Sequence, residues 1–201
     1  FIWTDFTLSY LVIIIPIWSV DGFKVFVESF TRRSYRSSEE DLSTVTVIIA
    51  CKDGEDVIDA TIKSLLKKFK PEQIILASNG STDSTCHIAA GYGVKVLDVK
   101  SPLGKVRAIN HALQFVKTPN ILLLDDDTLV GDAMIPTGLL DEGYEGVAFR
   151  VLVKTSNWVS KIQMYEYRKS TDIGKRYHNN RASVNNISGA IGLFRLKQLK
   201  S

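Results

Sequence analysis

Three adjacent carboxylates, Asp125, Asp126 and Asp127, follow the apolar run Ile121-Leu-Leu-Leu124. In an extended chain alternate side chains share a face, so Asp125 and Asp127 point the same way and offer two oxygens to a hard divalent cation, Mn2+ or Mg2+. Three like charges in a row also repel one another, which a bound cation relieves. An acidic turn capping the next helix is the plainer alternative. Upstream, Asn79-Gly80-Ser81-Thr82-Asp83 is a glycine-bearing turn after a second apolar run, a place where backbone N–H groups can meet an anion or an ordinary strand-to-helix turn. Lys100 and Lys105, with Gly104 between them, precede a helical pattern and can face a phosphate. The chemistry on offer is metal-assisted handling of a phosphorylated ligand.

Such residues need a frame. Val45-Thr-Val-Ile-Ile-Ala50, Ile74-Ile-Leu-Ala77, Val94-Lys-Val-Leu97 and Ile121-Leu-Leu-Leu124 are apolar runs of strand length. Between them Val57, Ile58, Ile62, Leu65 and Leu66 recur at helical spacing, as do Val106, Ile109, Ala112, Leu113 and Val116. Asp53 is placed to cap the first of these helices, with Asp56 three residues later, and Ser81 to cap the helix through Ile88. Alternating strands and helices predict an α/β fold with a mostly parallel, doubly wound sheet, in which ligands bind at the carboxyl ends of the strands.

The chain has 201 residues, 45% of them hydrophobic, which excludes a disordered or low-complexity polypeptide. Lys plus Arg exceed Asp plus Glu by only three, 25 against 22, so nucleic acid is not an expected partner. Cys51 and Cys86 are too few for a disulfide scaffold and lack zinc-site spacing, and His87, His111 and His178 form no triad with either. Residues 1–20 are dominated by apolar side chains, long enough for one transmembrane helix, with Asp5 near its end and Pro16 as a kink. Arg32, Arg33 and Arg36 mark the cytoplasmic side, and a buried core helix is the alternative. Residues 21–43 read as an interfacial segment and polar linker, and residues 44–201 as the following domain. A start at Phe1 and an end at Ser201 suggest a piece of a longer protein.

Taken together, these segments resemble glycosyltransferase family 2, of the GT-A fold. Val45 to Glu55 is similar to the family's opening strand and loop, and Ile74 to Asp83 to its nucleotide-binding strand and turn. Gly104-Lys105-Val-Arg-Ala-Ile-Asn110 resembles its glycine-lysine helix start, and Leu123-Leu124-Asp125-Asp126-Asp127 its Asp-x-Asp motif. Asn157-Trp158, Tyr165-Glu166-Tyr167 and Ile187-Ser188-Gly189-Ala190-Ile191-Gly192-Leu193-Phe194-Arg195 resemble segments of the membrane polysaccharide synthases, the branch of hyaluronan, chitin and cellulose synthases. The resemblance implies a membrane-attached, metal-dependent, inverting enzyme that moves a sugar from a UDP-sugar to a growing saccharide on the cytoplasmic face. It implies that Ala50, Asn79, Lys105, Asp125 and Asp126 line the nucleotide-sugar site, that Asp125 and Asp127 hold the cation, and that Ser188, Gly189, Gly192 and Arg195 shape the acceptor side.

The chain departs from that pattern in places. The family's proline after the first strand is Ala50, its Asn-Glu is Asp53-Gly54, and the aspartate expected to accept a hydrogen bond from uracil is replaced at Ser78-Asn79. The acidic pair that supplies the general base and the Gln-x-x-Arg-Trp motif are absent before Ser201, so no catalytic base is assigned and one is expected beyond it. Asp141, Glu142, Glu145 and Asp172 read as solvated. Trp158, Met164, Tyr165 and Tyr167 read as the packed face of a helix over about 157–176. Transfer to a lipid phosphate, or a non-catalytic nucleotide-sugar-binding subunit, are the alternative functions.

Overall fold

The computed structural model describes residues 23, 40–99, 104–154, 157–168, 187 and 189–199. The chain divides into two compact units, one of Arg36–Phe149 with Ile187–Ser201, the other of Phe1–Tyr35 with Arg150–Asn186. The expected transmembrane segment lies outside the described residues. Among those that are described, no helix is long and apolar enough to cross a membrane.

The first unit is built on a six-stranded sheet of order β3-β2-β1-β4-β6-β5. Its strands are β1 (Val45–Cys51), β2 (Ile74–Ser78), β3 (Lys95–Asp98), β4 (Asn120–Asp125), β5 (Gly146–Ala148) and β6 (Ile191–Arg195). Strands β1 to β4 are parallel, while β6 runs antiparallel to both β4 and β5. Every residue of β1 and β2 is buried, as expected for strands covered on both faces. The helices are α1 (Ile58–Leu65), α2 (Thr85–Gly91), α3 (Lys105–Leu113), α4 (Thr137–Asp141), and α6 (Leu196–Leu199) directly after β6. The second unit contributes one described helix, α5 (Trp158–Arg168).

Alternation along the strands sorts the core into two layers. Ile48, Ile75, Ala77 and Ile121 pack with Ala108, Ala112 and Leu113 of α3 on one face, with Leu196 and Leu199 of α6 against the same cluster. The intervening residues Val47, Ile49, Leu76 and Leu122 are equally buried and belong to the opposite face. Helix α1 buries Ile58, Ile62 and Leu65 of the apolar set read from the sequence, together with Thr61 and Ser64, while Val57 and Leu66 flank it half-buried.

Several local expectations are corrected. Asp53 does not cap α1, whose N-cap is Val57 without a side-chain bond. Its carboxylate instead accepts from the N–H of Thr82 at 2.8 Å. Ser81 does not cap α2; its hydroxyl accepts from the N–H of Asp53 at 3.1 Å, while Asp83 accepts from the N–H of Thr85 at 3.0 Å. In both cases a tertiary partner one loop away outcompetes the local helix end. The polar stretch read as linker is tied down at its end, where Glu40 accepts from the N–H of Ile135 at 2.7 Å and pairs with Lys68 at 3.3 Å. Helix α5 does not present Trp158 and Tyr165 to a core: both are exposed, with Met164 and Tyr167 half-buried, and Asn157 accepts from the N–H of Ser160 at its start.

Candidate functional site

The face that packs on α3 continues past the ends of the strands. Counting by twos from Ile48 leads to Ala50 and Lys52, from Ile75 to Ala77 and Asn79, and from Ile121 to Leu123, Asp125 and Asp127. All of these except Leu123 line one cleft of ≈ 230 Å³ at the carboxyl ends of β1, β2 and β4, together with Cys51, Lys105, Ala108 and Asp126. The cleft exists because side chains shrink as the strands end. Ile48 gives way to Ala50 and Ile75 to Ala77, and α3 contributes Ala108, leaving a methyl-lined floor below the polar rim.

The start of α3 is held over this cleft from two sides. Gly104, at φ +91°, is its N-cap and donates its N–H to Oδ1 of Asn79 at 2.9 Å. Lys105 follows and makes an ion pair with Asp125, the last residue of β4. The backbone N–H of Asp125 donates to the carbonyl of Ala190 at 3.0 Å, so the approach to β6 also fixes the acidic strand end.

The three carboxylates play different parts. Asp125 faces Lys105, and Asp127 is exposed at the rim. Asp126 turns toward Cys51, the last residue of β1, and Gly54 beyond it. Burial, and then the neighbouring Asp126, push the Cys51 thiol far above its ordinary range, so Cys51 stays protonated and is no nucleophile. Gly54 sits against both groups: a Cβ there would lie 2.7 Å from Sγ of Cys51 and 2.8 Å from Oδ2 of Asp126. Among the described residues no three acidic, cysteine or histidine side chains converge on a possible metal position. Asp125 and Asp127 both line the open cleft.

Three of the five amides of the turn Asn79–Asp83 are bonded within the protein. Asn79 donates its N–H to the Cys51 carbonyl at 2.9 Å, Ser81 to the Ser78 hydroxyl at 3.1 Å and Thr82 to Asp53. Glu55 donates its N–H to Asp83 at 3.0 Å, Ser84 returns one to Glu55 at 3.0 Å, and Gly54 donates to Oγ1 of Thr85 at 2.8 Å. These bonds lace the β1–α1 loop to the β2–α2 loop. Asp83 is held below the usual carboxylate range, first by the hydroxyl of Thr85 and, against a smaller desolvation effect, by the N–H groups of Glu55 and Thr85.

Of the residues expected at a nucleotide-sugar and metal site, Ala50, Asn79, Lys105, Asp125, Asp126 and Asp127 all come together in this cleft. The expected acceptor residues do not gather there as a group. Ser188 and Lys100 lie outside the described residues. Gly189 precedes the Ala190 carbonyl that meets Asp125, whereas Gly192 pairs with Leu123 inside the sheet and Arg195 with Asn120 at the opposite end of β4. The Arg195 guanidinium donates to the carbonyl of Leu140. Lys52, Cys51, Ala77 and Ala108 were not singled out from the sequence as site residues; counting by twos along β1 and β2 would have found Lys52 and Ala77.

Comparison with known proteins agrees with this architecture. The family model for glycosyl transferase family 2 matches residues 46–199. The chain is 25% identical over 211 residues to the poly-beta-1,6-N-acetyl-D-glucosamine synthase of Staphylococcus epidermidis, covering 98% of this chain and 51% of that protein. It is 27% identical over 207 residues to the synthase of the same name from Staphylococcus aureus, covering 95% and 50%. The chain thus spans about half the length of the curated relatives it matches. Among solved structures, it shares its fold with a mannosyltransferase from Pyrobaculum calidifontis in complex with GDP-Man and Mn2+, at a TM-score of 0.59 and 14% identity over 93% of this chain and 56% of that one. A glucosyl-3-phosphoglycerate synthase from Mycobacterium tuberculosis in complex with Mn2+, UDP-Glc and phosphoglyceric acid aligns at 0.53 and 17%, covering 84% and 63%.

Proposed function

Because this chain belongs to glycosyl transferase family 2, we propose that its cleft is the donor site of a metal-dependent, inverting glycosyltransferase that moves a sugar from a UDP-sugar to a growing polysaccharide. The observation that carries this reading is the convergence of Lys105, Asp125 and Asp127 on a methyl-floored cleft at the strand ends. Asp125 and Asp127 are the residues that would hold Mn2+ or Mg2+, and the cation would offset the negative charge that builds on the departing diphosphate. Lys105, at the first position of α3, adds a positive charge to the same end of the cleft. The floor of Ala50, Ala77 and Ala108 suits the flat face of a base or ribose.

The polymer acceptor is supported by the similarity to two staphylococcal synthases named for a polysaccharide product. Attachment at the cytoplasmic face of a membrane rests on the apolar run of residues 1–20 and the arginines that follow. Attack by the acceptor hydroxyl also needs a carboxylate to take its proton; none of the described residues is given that role.

The test is binding of UDP to the detergent-solubilised chain, with and without Mn2+, repeated in Asp127→Ala. Binding that requires Mn2+ and vanishes in the variant is the expected result. A folded protein that shows no metal-dependent binding overturns the donor-site reading.

A further inference from the structure

Lys52 and Asn79 follow immediately after Cys51 and Ser78, which are register partners on adjacent parallel strands. They are therefore neighbours at the shared end of β1 and β2, and both line the cleft. Their hydrogen-bonding capacity is one-sided. The Oδ1 of Asn79 is taken by the N–H of Gly104, and that contact identifies the other end of the amide as the NH2 group. Among the described residues neither this NH2 nor the ammonium of Lys52 has a hydrogen-bond or ion-pair partner, although three carboxylates line the same cleft. Lys has no acceptor at all, and Asn79 has spent its own.

The backbone accounts for the placement of Lys52. Asp53 is the one non-glycine residue of positive φ among the described residues, at +52°. Left-handed backbone is costly outside glycine, although aspartate bears it better than most, and it persists where the surroundings enforce it. Here the Thr82 and Ser81 bonds to Asp53 enforce it. The kink sends the Asp53 side chain to the neighbouring loop and leaves Lys52 on the cleft side.

We infer that Lys52 and Asn79 form a donor-only pair that reads hydrogen-bond acceptors on the base of the nucleoside diphosphate, so that this site does not select for the N3–H of uracil. The inference rests on the donor-site reading above. The acidic strand end lies across the cleft at β4, which leaves the β1–β2 end for the base. Uracil offers the pair O2 and O4 and cytosine offers O2 and N3, so each base gives both donors an acceptor. An aspartate at position 79 would keep an acceptor for Gly104 and present a second acceptor to the cleft, rewarding N3–H.

The experiment is titration of the full chain with UDP and with CDP in the presence of Mn2+, repeated in Asn79→Asp and Lys52→Met, with thermal melts to establish that each variant is folded. The expected result is UDP and CDP affinities within about threefold of each other in the unaltered chain, and a preference for UDP of about tenfold in Asn79→Asp. Lys52→Met weakens both nucleotides by roughly tenfold. A UDP preference above about tenfold in the unaltered chain overturns the inference, as does a Lys52→Met variant with both affinities intact. In those cases nucleotide binding persists and the donor site stands. Absence of binding by either nucleotide removes both readings together.

Discussion

The ammonium of Lys105, the first residue of α3, rests on the carboxylate of Asp125, the last residue of β4, joining the two elements across the mouth of the cleft. The side chains are 52% and 28% exposed, so the pair contributes no more than about 1 kcal/mol to folding. Its weight is functional. Lys105→Met is expected to leave the melting temperature nearly unchanged while weakening Mn2+-dependent UDP binding by about tenfold, because one charge-assisted contact is lost. Thermal melts alongside a UDP titration check both halves.

Gly54 is required by its neighbours rather than by its backbone angles. Any Cβ there meets Sγ of Cys51 and Oδ2 of Asp126 well inside contact distance. Gly54→Ala should cost about 1–3 kcal/mol by overpacking. Combining it with Cys51→Ala, which removes the closest atom, should recover part of that loss. Urea denaturation of the two single variants and the double variant measures the coupling, and strictly additive losses would count against the steric explanation.

Asp53 carries two opposing effects, a left-handed backbone and a carboxylate that binds the Thr82 amide. Asp53→Gly loses the bond but relaxes the backbone, whereas Asp53→Ala loses the bond and keeps the strain. The expected stability order is the native residue, then Gly, then Ala, with Ala below Gly by about 1 kcal/mol. Equilibrium denaturation gives the order directly.

Acid should loosen the laced loops through Asp83. Its carboxyl is held below the ordinary value of 3.8 by hydrogen bonds to the charged form, so the folded state binds this proton less readily than the unfolded chain. The resulting stability is fully present above 3.8 and is lost as pH falls through the lower folded-state value. Asp83→Asn should flatten that part of the acid limb in a series of melting temperatures against pH. An unaltered limb would assign the acid sensitivity to other carboxylates.

What could be read from the sequence follows from what kind of force fixes each feature. Strands β1, β2 and β4 are contiguous apolar runs because they are covered on both faces, and burial alone marks them. Strand β3 falls one residue later than its apolar run suggests, and Lys95 at its start packs over the Phe115 ring at 3.9 Å. Strands β5 and β6 carry no such mark: β5 has three residues, and β6 contains Gly192, whose missing side chain makes room for Phe194 and Ile187. The carboxylates of the site were legible because strand parity is local. The duties of Asp53, Ser81 and Asp126 were not, since each side chain is claimed by a partner from another loop or strand end.

The order of strands also governs how the sheet can assemble. Strand β5 has a single sheet neighbour, β6, and β6 lies between β5 and β4 although about forty residues separate β5 from β6 along the chain. Strand β4 docks on β1 and strand β6 docks on β4, both pairings between segments far apart in the chain. Strand β5 has nowhere to dock until β6 has settled on β4. The acidic strand end waits for the same event, because the Asp125 amide finds its partner only in Ala190. Completion of the sheet edge and setting of the acidic strand end are therefore coupled, since both depend on the segment that carries Ala190 and β6.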